Sequence, residues 1–282
     1  MMYNIFGDLI MDFNNDNIIF NTINDISFIK IKKLEEFSNI EHAFYIGKDL
    51  DFKTKDKNKN FYKDNYKNYQ KFLSLFNLDY KNCVKPIYEH SNNYKNIVKK
   101  YNIDEPDFFI EEYENTDATI TNKNNIILTS TSADCNIIFI YDKKNKVISN
   151  IHSGWLGTLN EVVINTIKGM KKEYNSNYLD LICCIMPSIR MCHFEVGDDV
   201  YYKFKDKFND SKYYEFINGK WHIDLVSIII DGLIKMGVDK NNIIDANICT
   251  VCNSNYLHSY RVEKEDFMVS MGFITLKGED NV

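Results

Sequence analysis

Apolar and polar positions come in short blocks through the middle of the chain, and those blocks predict strands. Residues 125–131 and 136–141 are β-rich runs broken by the polar Ser132-Ala133-Asp134-Cys135. Residues 143–145 signal a turn, and 147–152 return as another strand. Residues 181–186 form a short, fully apolar strand stopped by Pro187. Two segments switch to a helical period. Across 159–174, Leu159, Val162, Val163, Ile167 and Met170 share one face. After Trp221, Leu225, Ile228, Ile229, Leu233 and Met236 recur at helical spacing until Gly237 supplies a stop. Residues 243–249 and 272–276 predict closing strands. Strands and helices mix without strict alternation, which predicts an α+β fold rather than a doubly wound sheet.

No repeat and no clear boundary interrupts this pattern, so residues 1–282 are expected to form one domain, with a polar loop at about 53–60. Hydrophobic residues make up 44% and charged residues 26%, a globular balance. A chain of this size can bury enough apolar surface to need no disulfide or structural metal. Net charge is −6 with the lysines scattered, which argues against nucleic acid as a partner. Apolar runs such as 137–141 are too short to span a bilayer, so no membrane partner is expected. Residues 1–12 lack a basic start and a long apolar core, so no signal peptide is expected. Seven cysteines without framework spacing predict reduced, mostly buried thiols and a cytoplasmic location.

Three polar residues sit at the ends of predicted strands. His90 closes the strand-like 84–89, Cys135 interrupts a strand pair, and His152 ends the next strand before Gly154. Strand ends opening into loops let side chains converge on a cleft. One thiolate and two imidazoles make a three-ligand zinc set with a fourth position free. From spacing alone this is a weak signal, because a lone histidine or cysteine is usually a packing residue. Cys249 and Cys252 form a C-x-x-C, but with no second pair in sight they read as structural thiols, and Cys183 and Cys184 as core. Arg190 and Arg261 stand out against a lysine background, as residues kept where planar, bidentate donors meet phosphate or a carboxylate. Arg261, after the C-x-x-C, is the stronger candidate; Arg190 is as readily a chance surface residue.

The segment Ser132-Ala133-Asp134-Cys135, followed seventeen residues after the cysteine by His152-Ser153-Gly154-Trp155, resembles the laccase-domain (YfiH-like) family. That family carries T-A-D-C and H-A-G-W-R-G at the same separation. His90 matches its Q-V-H-G histidine. Pro187-Ser188-Ile189, Phe194-Glu195-Val196-Gly197, Ile223-Asp224-Leu225 and Cys249-Thr250-Val251-Cys252 with Ser259-Tyr260-Arg261 follow in the family's order. The resemblance implies one α+β domain with two packed mixed sheets and helices on the outer faces. It also implies zinc-dependent phosphorolysis of purine nucleosides (adenosine, inosine, guanosine, methylthioadenosine) with adenosine deaminase activity. His90, Cys135 and His152 would be the metal ligands, Cys135 and His152 would serve catalysis, and Arg261 would assist phosphate. Asp134 would move a proton or orient a ligating histidine, or simply form the turn.

The chain departs from the family at Leu156, where the family has arginine, at Tyr88 for glutamine and at Ser91 for glycine. The family's Gly-Arg pair is absent near Val269 to Met271. Rival readings are a metal-free cysteine hydrolase or deamidase using Cys135 with His152 or His90, a scaffold with a decayed site, and a copper polyphenol oxidase. Six histidines are few for several copper centres. Preferred nucleoside and oligomeric state are not legible.

Overall fold

Both faces of residues 137–141 are buried, and this double burial organises the molecule. The computed structural model describes residues 2–3, 9–10, 13–54, 63–98 and 113–278. Most of the expected 53–60 loop and most of residues 1–12 therefore lie outside the described residues.

The chain opens with a ribbon of β1 (Met2–Tyr3) and β2 (Leu9–Ile10). Then come β3 (Ile18–Ile23), β4 (Ile26–Ile31), α1 (Lys32–Glu35), β5 (Ile40–Ile46) and α2 (Tyr66–Ser74). Short β6 (Cys83–Val84) and β7 (Tyr94–Asn96) precede β8 (Ala118–Thr121), β9 (Ile127–Ser132), β10 (Asn136–Asp142) and β11 (Val147–Ser153). Next are α3 (Trp155–Leu159), α4 (Val162–Tyr174), β12 (Leu181–Ile185), β13 (Glu195–Val196) and α5 (Asp198–Lys207). The rest comprises β14 (Tyr214–Ile217), β15 (Lys220–Ile223), α6 (Leu225–Met236), β16 (Ile243–Asp245), α7 (Tyr260–Glu263) and β17 (Ser270–Leu276).

Two six-stranded mixed sheets carry the fold, in the orders β16-β12-β10-β11-β8-β7 and β3-β4-β5-β17-β9-β6. Ile137, Phe139 and Tyr141 of β10 face the second sheet, meeting Phe44, Leu128 and Ile274 in a shared core. Ile138 and Ile140 face the other way, onto Val163, Ile167 and Met170 of α4 and Ile229 and Leu233 of α6. α2 covers the outer face of the second sheet through Tyr69, Phe72 and Leu73. A strand buried on both faces has no polar alternation, which is why 137–141 and 181–186 read as continuous apolar runs. The expected α+β class, with two mixed sheets and outer helices, is the one observed. Among the described residues, no helix is long and apolar enough to cross a membrane.

Several expected boundaries move, each for a local reason. The helix expected over 159–174 is divided, because Glu161 takes a left-handed conformation (φ 59°) between α3 and α4. The strand expected over 243–249 stops at Asp245, whose carboxylate accepts from the backbone N–H of Asn247 and turns the chain. The strand expected up to Glu89 ends at Val84, ahead of Pro86, which has no N–H to offer a ladder.

Candidate functional site

The turn from β9 to β10 carries the chain from the second sheet to the first, and Cys135 sits in that turn. In β11, Ile148 packs into the inter-sheet core and Ile151 onto the helices, so the alternation points His152 toward the space between the sheets. β10 and β11 pair Asn136 with Ser153 and Ile137 with His152, which places Cys135 beside Gly154 at the strand ends. His90 arrives from the other side, in a left-handed conformation (φ 55°) just after Pro86 and the Ile87 bridge.

The three residues converge. The ligating atoms of His90, Cys135 and His152 lie within 4.8 Å of one another. The two imidazole rings are 5.3 Å apart at 68°. Gly154 makes this approach feasible: a Cβ there would stand 2.8 Å from His90 Cδ2 and 3.0 Å from Cys135 Sγ. His152 is buried, Cys135 half-buried and His90 exposed, so the cluster opens to solvent on the His90 side.

Asp117, missed in the sequence reading, orients the cluster. Its Oδ1 lies 2.9 Å from His152 Nδ1, and its Oδ2 accepts from the backbone N–H and the hydroxyl of Ser91 at 2.7 and 2.8 Å. In the neutral ring, a proton on Nδ1 facing the carboxylate leaves the Nε2 lone pair free. The one sequence signal was a carboxylate heading a β-rich run. Tyr88 stacks on the His152 ring at 4.3 Å, and its hydroxyl accepts from the Thr131 N–H at 3.0 Å. Tyr88 and Ser91, two departures from the family pattern, thus both brace this histidine.

Charges are shared within the group. Burial works against a thiolate at Cys135, yet His152 and His90 beside it prevail and draw the thiol down to about 6. Burial likewise opposes a charge on His152, but the Cys135 sulfur and the Asp117 carboxylate lift it to about 9. Both shifts belong to the coupled pair. For Asp117, burial is outweighed by the bonds from His152 and Ser91, which hold its carboxyl below the usual range.

Asp134 does not orient a histidine, and that expectation is corrected. Its carboxylate accepts from the Thr250 and Ser259 hydroxyls and the Arg261 N–H, and these bonds tie the 250–261 segment to the Cys135 turn. Arg261 donates from its guanidinium to the carbonyls of His193 and Glu195 at 3.1 and 3.0 Å. Arg190 grips the Asp245 carboxylate with both terminal nitrogens at 2.8 and 2.6 Å, so it meets a carboxylate rather than phosphate. Cys183 and Cys184 are core, as expected. Cys249 and Cys252 do have a second pair: Cys192 and His193 lie against them. A cleft of about 610 Å³ lined by Phe28, Lys30, Glu35 and Phe76 lies on the outer side of the second sheet, and no residue of the cluster lines it.

A family model described as multi-copper polyphenol oxidoreductase laccase matches residues 38–277. A purine nucleoside phosphorylase of Bacteroides thetaiotaomicron is 34% identical over 154 residues, which cover 54% of this chain and 57% of that protein. The match thus spans little more than half of that relative. A purine nucleoside phosphorylase of Staphylococcus aureus is 33% identical over 198 residues, covering 70% of this chain and 73% of its own length. Two solved structures share the fold. YlmD from Geobacillus stearothermophilus superposes with a TM-score of 0.81 at 16% identity, over 93% of this chain and 100% of its own. The hypothetical protein YfiH of Bacillus licheniformis superposes at 0.78 and 20% identity, over 90% and 100%.

Proposed function

This chain belongs to the family described as multi-copper polyphenol oxidoreductase laccase, and on that premise we propose that it is a zinc-dependent purine nucleoside phosphorylase. The observation that carries the reading is the convergence of His90, Cys135 and His152 around Gly154, with His152 held by Asp117. The relatives named purine nucleoside phosphorylase supply the substrate class, purine nucleosides and phosphate.

The donor set fits zinc. One thiol and two imidazoles within mutual reach, one of them exposed, correspond to three protein ligands with a position left open. Copper chemistry at several centres fits poorly, because histidine is short. His42 accepts from the Ile31 N–H, and the His222 and His258 rings meet the carbonyls of Met191 and Leu50. Zinc held by the three residues would supply Lewis acidity.

The chain's own groups provide the rest. Asp117 fixes His152 with its Nδ1 proton outward from the cluster, and the adjacent imidazoles keep Cys135 available as a thiolate near neutral pH. In phosphorolysis a phosphate oxygen bonds to the ribose anomeric carbon while the bond to the base nitrogen breaks, and the departing base takes the electron pair and a proton. The Arg261 N–H groups not used on carbonyls are our choice for phosphate. Asp134 holds the Cys135 turn rather than moving protons. The same donor set would suit adenosine deamination. We take the whole chain as one domain acting in the cytoplasm.

A second reading has a specific observation behind it. Cys135, His152 and Asp117 are arranged as nucleophile, base and orienting carboxylate, the set of a cysteine hydrolase. Base release from adenosine and inosine in phosphate, measured with zinc content for wild type and Cys135→Ala, decides between them. Loss of one zinc per chain together with turnover supports the phosphorylase. Turnover that survives full removal of metal and vanishes with Cys135 sinks it in favour of the hydrolase.

A further inference from the structure

Three thiols and one imidazole nitrogen meet at a second point in the molecule. The ligating atoms of Cys192, His193, Cys249 and Cys252 lie within 4.8 Å of one another, and none of these residues belongs to the Cys135 cluster. Cys192 Sγ is 3.7 Å from Cys249 Sγ and 3.8 Å from Cys252 Sγ. His193 Nδ1 is 3.2, 3.7 and 3.5 Å from the sulfurs of Cys192, Cys249 and Cys252.

These separations are the edges of a coordination tetrahedron. With zinc bonds of about 2.3 Å to sulfur and about 2.0 Å to nitrogen, tetrahedral geometry sets edges of about 3.8 Å between sulfurs and about 3.5 Å from sulfur to nitrogen. Two of the three sulfur–sulfur edges agree with the first value, the third (Cys249 to Cys252) lies within 4.8 Å, and the three nitrogen–sulfur edges bracket the second. A disulfide would bring two sulfurs to about 2.05 Å and would leave the third thiol and the imidazole without a purpose.

The sequence also has the shape of such a site. Cys249-x-x-Cys252 is one half, closed into a turn by Asn253, whose backbone and side-chain N–H groups both donate to the Cys249 carbonyl. Cys192-His193 is the other half, in a turn where the His193 N–H donates to the Arg190 carbonyl. The two halves are neighbours already, since Ser188 and Cys249 form a bridge with Thr250 N–H on the Ser188 carbonyl at 3.1 Å.

We propose that Cys192, His193, Cys249 and Cys252 hold a structural zinc ion, independent of the Cys135 cluster. Four protein ligands close the coordination sphere, so the ion takes no part in turnover. On binding, the three thiols each release a proton and the neutral imidazole binds through Nδ1. The ion pins the 192–193 turn to the 249–252 turn. Arg261 hangs from the first by its bond to the His193 carbonyl, and Asp134 is held by Thr250 from the second. The site therefore acts as a clamp behind the Cys135 turn.

Zinc per chain, measured on protein purified in reductant, tests this in four forms: wild type, Cys135→Ala, Cys192→Ser and the double variant. Cys192 is exposed, so its replacement by serine spares the core. Cys135→Ala removes the other candidate site, and circular dichroism confirms that each form is folded. We expect Cys135→Ala to keep one zinc and the double variant to have none. Cobalt loaded into Cys135→Ala should give strong thiolate charge-transfer absorption that disappears with Cys192. Folded Cys135→Ala without zinc, zinc that persists in the double variant, or a disulfide among these cysteines in the reduced preparation overturns the proposal. Should the Cys135 cluster hold no metal, wild type and Cys135→Ala would both carry one zinc, which leaves the clamp standing and removes the phosphorylase reading.

Discussion

Asp117 holds His152 twice. Its side chain meets the ring Nδ1 at 2.9 Å, and its carbonyl accepts the His152 backbone N–H at 2.7 Å. The ring cannot rotate without giving up a buried, charged partner, so its Nε2 is aimed before any ligand arrives. Such a partner raises the basicity of a ligating histidine and saves the cost of ordering it.

Asp117→Asn should therefore weaken metal retention at the Cys135 cluster by about 10- to 100-fold, with the fold intact. Competition with a chromophoric chelator measures it. Unchanged affinity would show that His152 needs no carboxylate behind it.

Gly154→Ala would place a methyl group 2.8 Å from His90 Cδ2 and 3.0 Å from Cys135 Sγ. Because Gly154 has an ordinary extended conformation (φ −71°), its backbone is not strained by alanine. The damage should thus fall on the cluster, cutting base release on the order of a hundredfold through misplacement of ligands. Full activity in this variant would mean that the three residues do not act together.

Phe72 lies at the centre of the α2 layer, with its ring against Phe28, Tyr45, Phe52, Phe76 and Phe273. Phe72→Ala should cost about 3–5 kcal/mol in urea unfolding, by lost burial and the cavity left behind. A cost below about 1 kcal/mol would mean that α2 is not docked on the second sheet.

His42 should make stability depend on pH. Burial first, and then Lys30 and Lys277, push its imidazole from 6.5 down to about 3, and Glu35 Oε1 at 3.6 Å from Nδ1 does not offset them. The unfolded chain therefore takes up a proton that the native state refuses between about pH 6.5 and 3. The contribution is full above pH 6.5 and is lost as pH falls through that window. His42→Gln should be less stable at pH 7 and lose less on going to pH 5, as read from urea midpoints. An equal loss in both proteins would place the acid sensitivity elsewhere.

Periodicity found the elements whose environment is uniform. α6 shows one apolar face and a capped end because Asp224 accepts from Ser227 N–H at its start and Gly237 turns left-handed at its close. β10 and β12 show unbroken apolar runs because both faces are covered. β3, β4 and β5 are not legible in the pattern, since their isoleucines repeat the bias of the whole chain and β3 is half-exposed at a sheet edge.

By itself, then, the sequence determined the class, the central strands and the family, and it pointed to His90, Cys135 and His152, which the structure brings together. Hydrophobic period and motif order are local properties, written in neighbouring residues. The tertiary structure alone decided that Asp117 rather than Asp134 stands behind His152, that Ser91 and Tyr88 brace that pair, and that Cys192-His193 completes Cys249-x-x-Cys252. Those contacts join segments 26 to 64 positions apart. Their partners are chosen by strand register and by the crossing of two sheets, and no spacing along the chain records either.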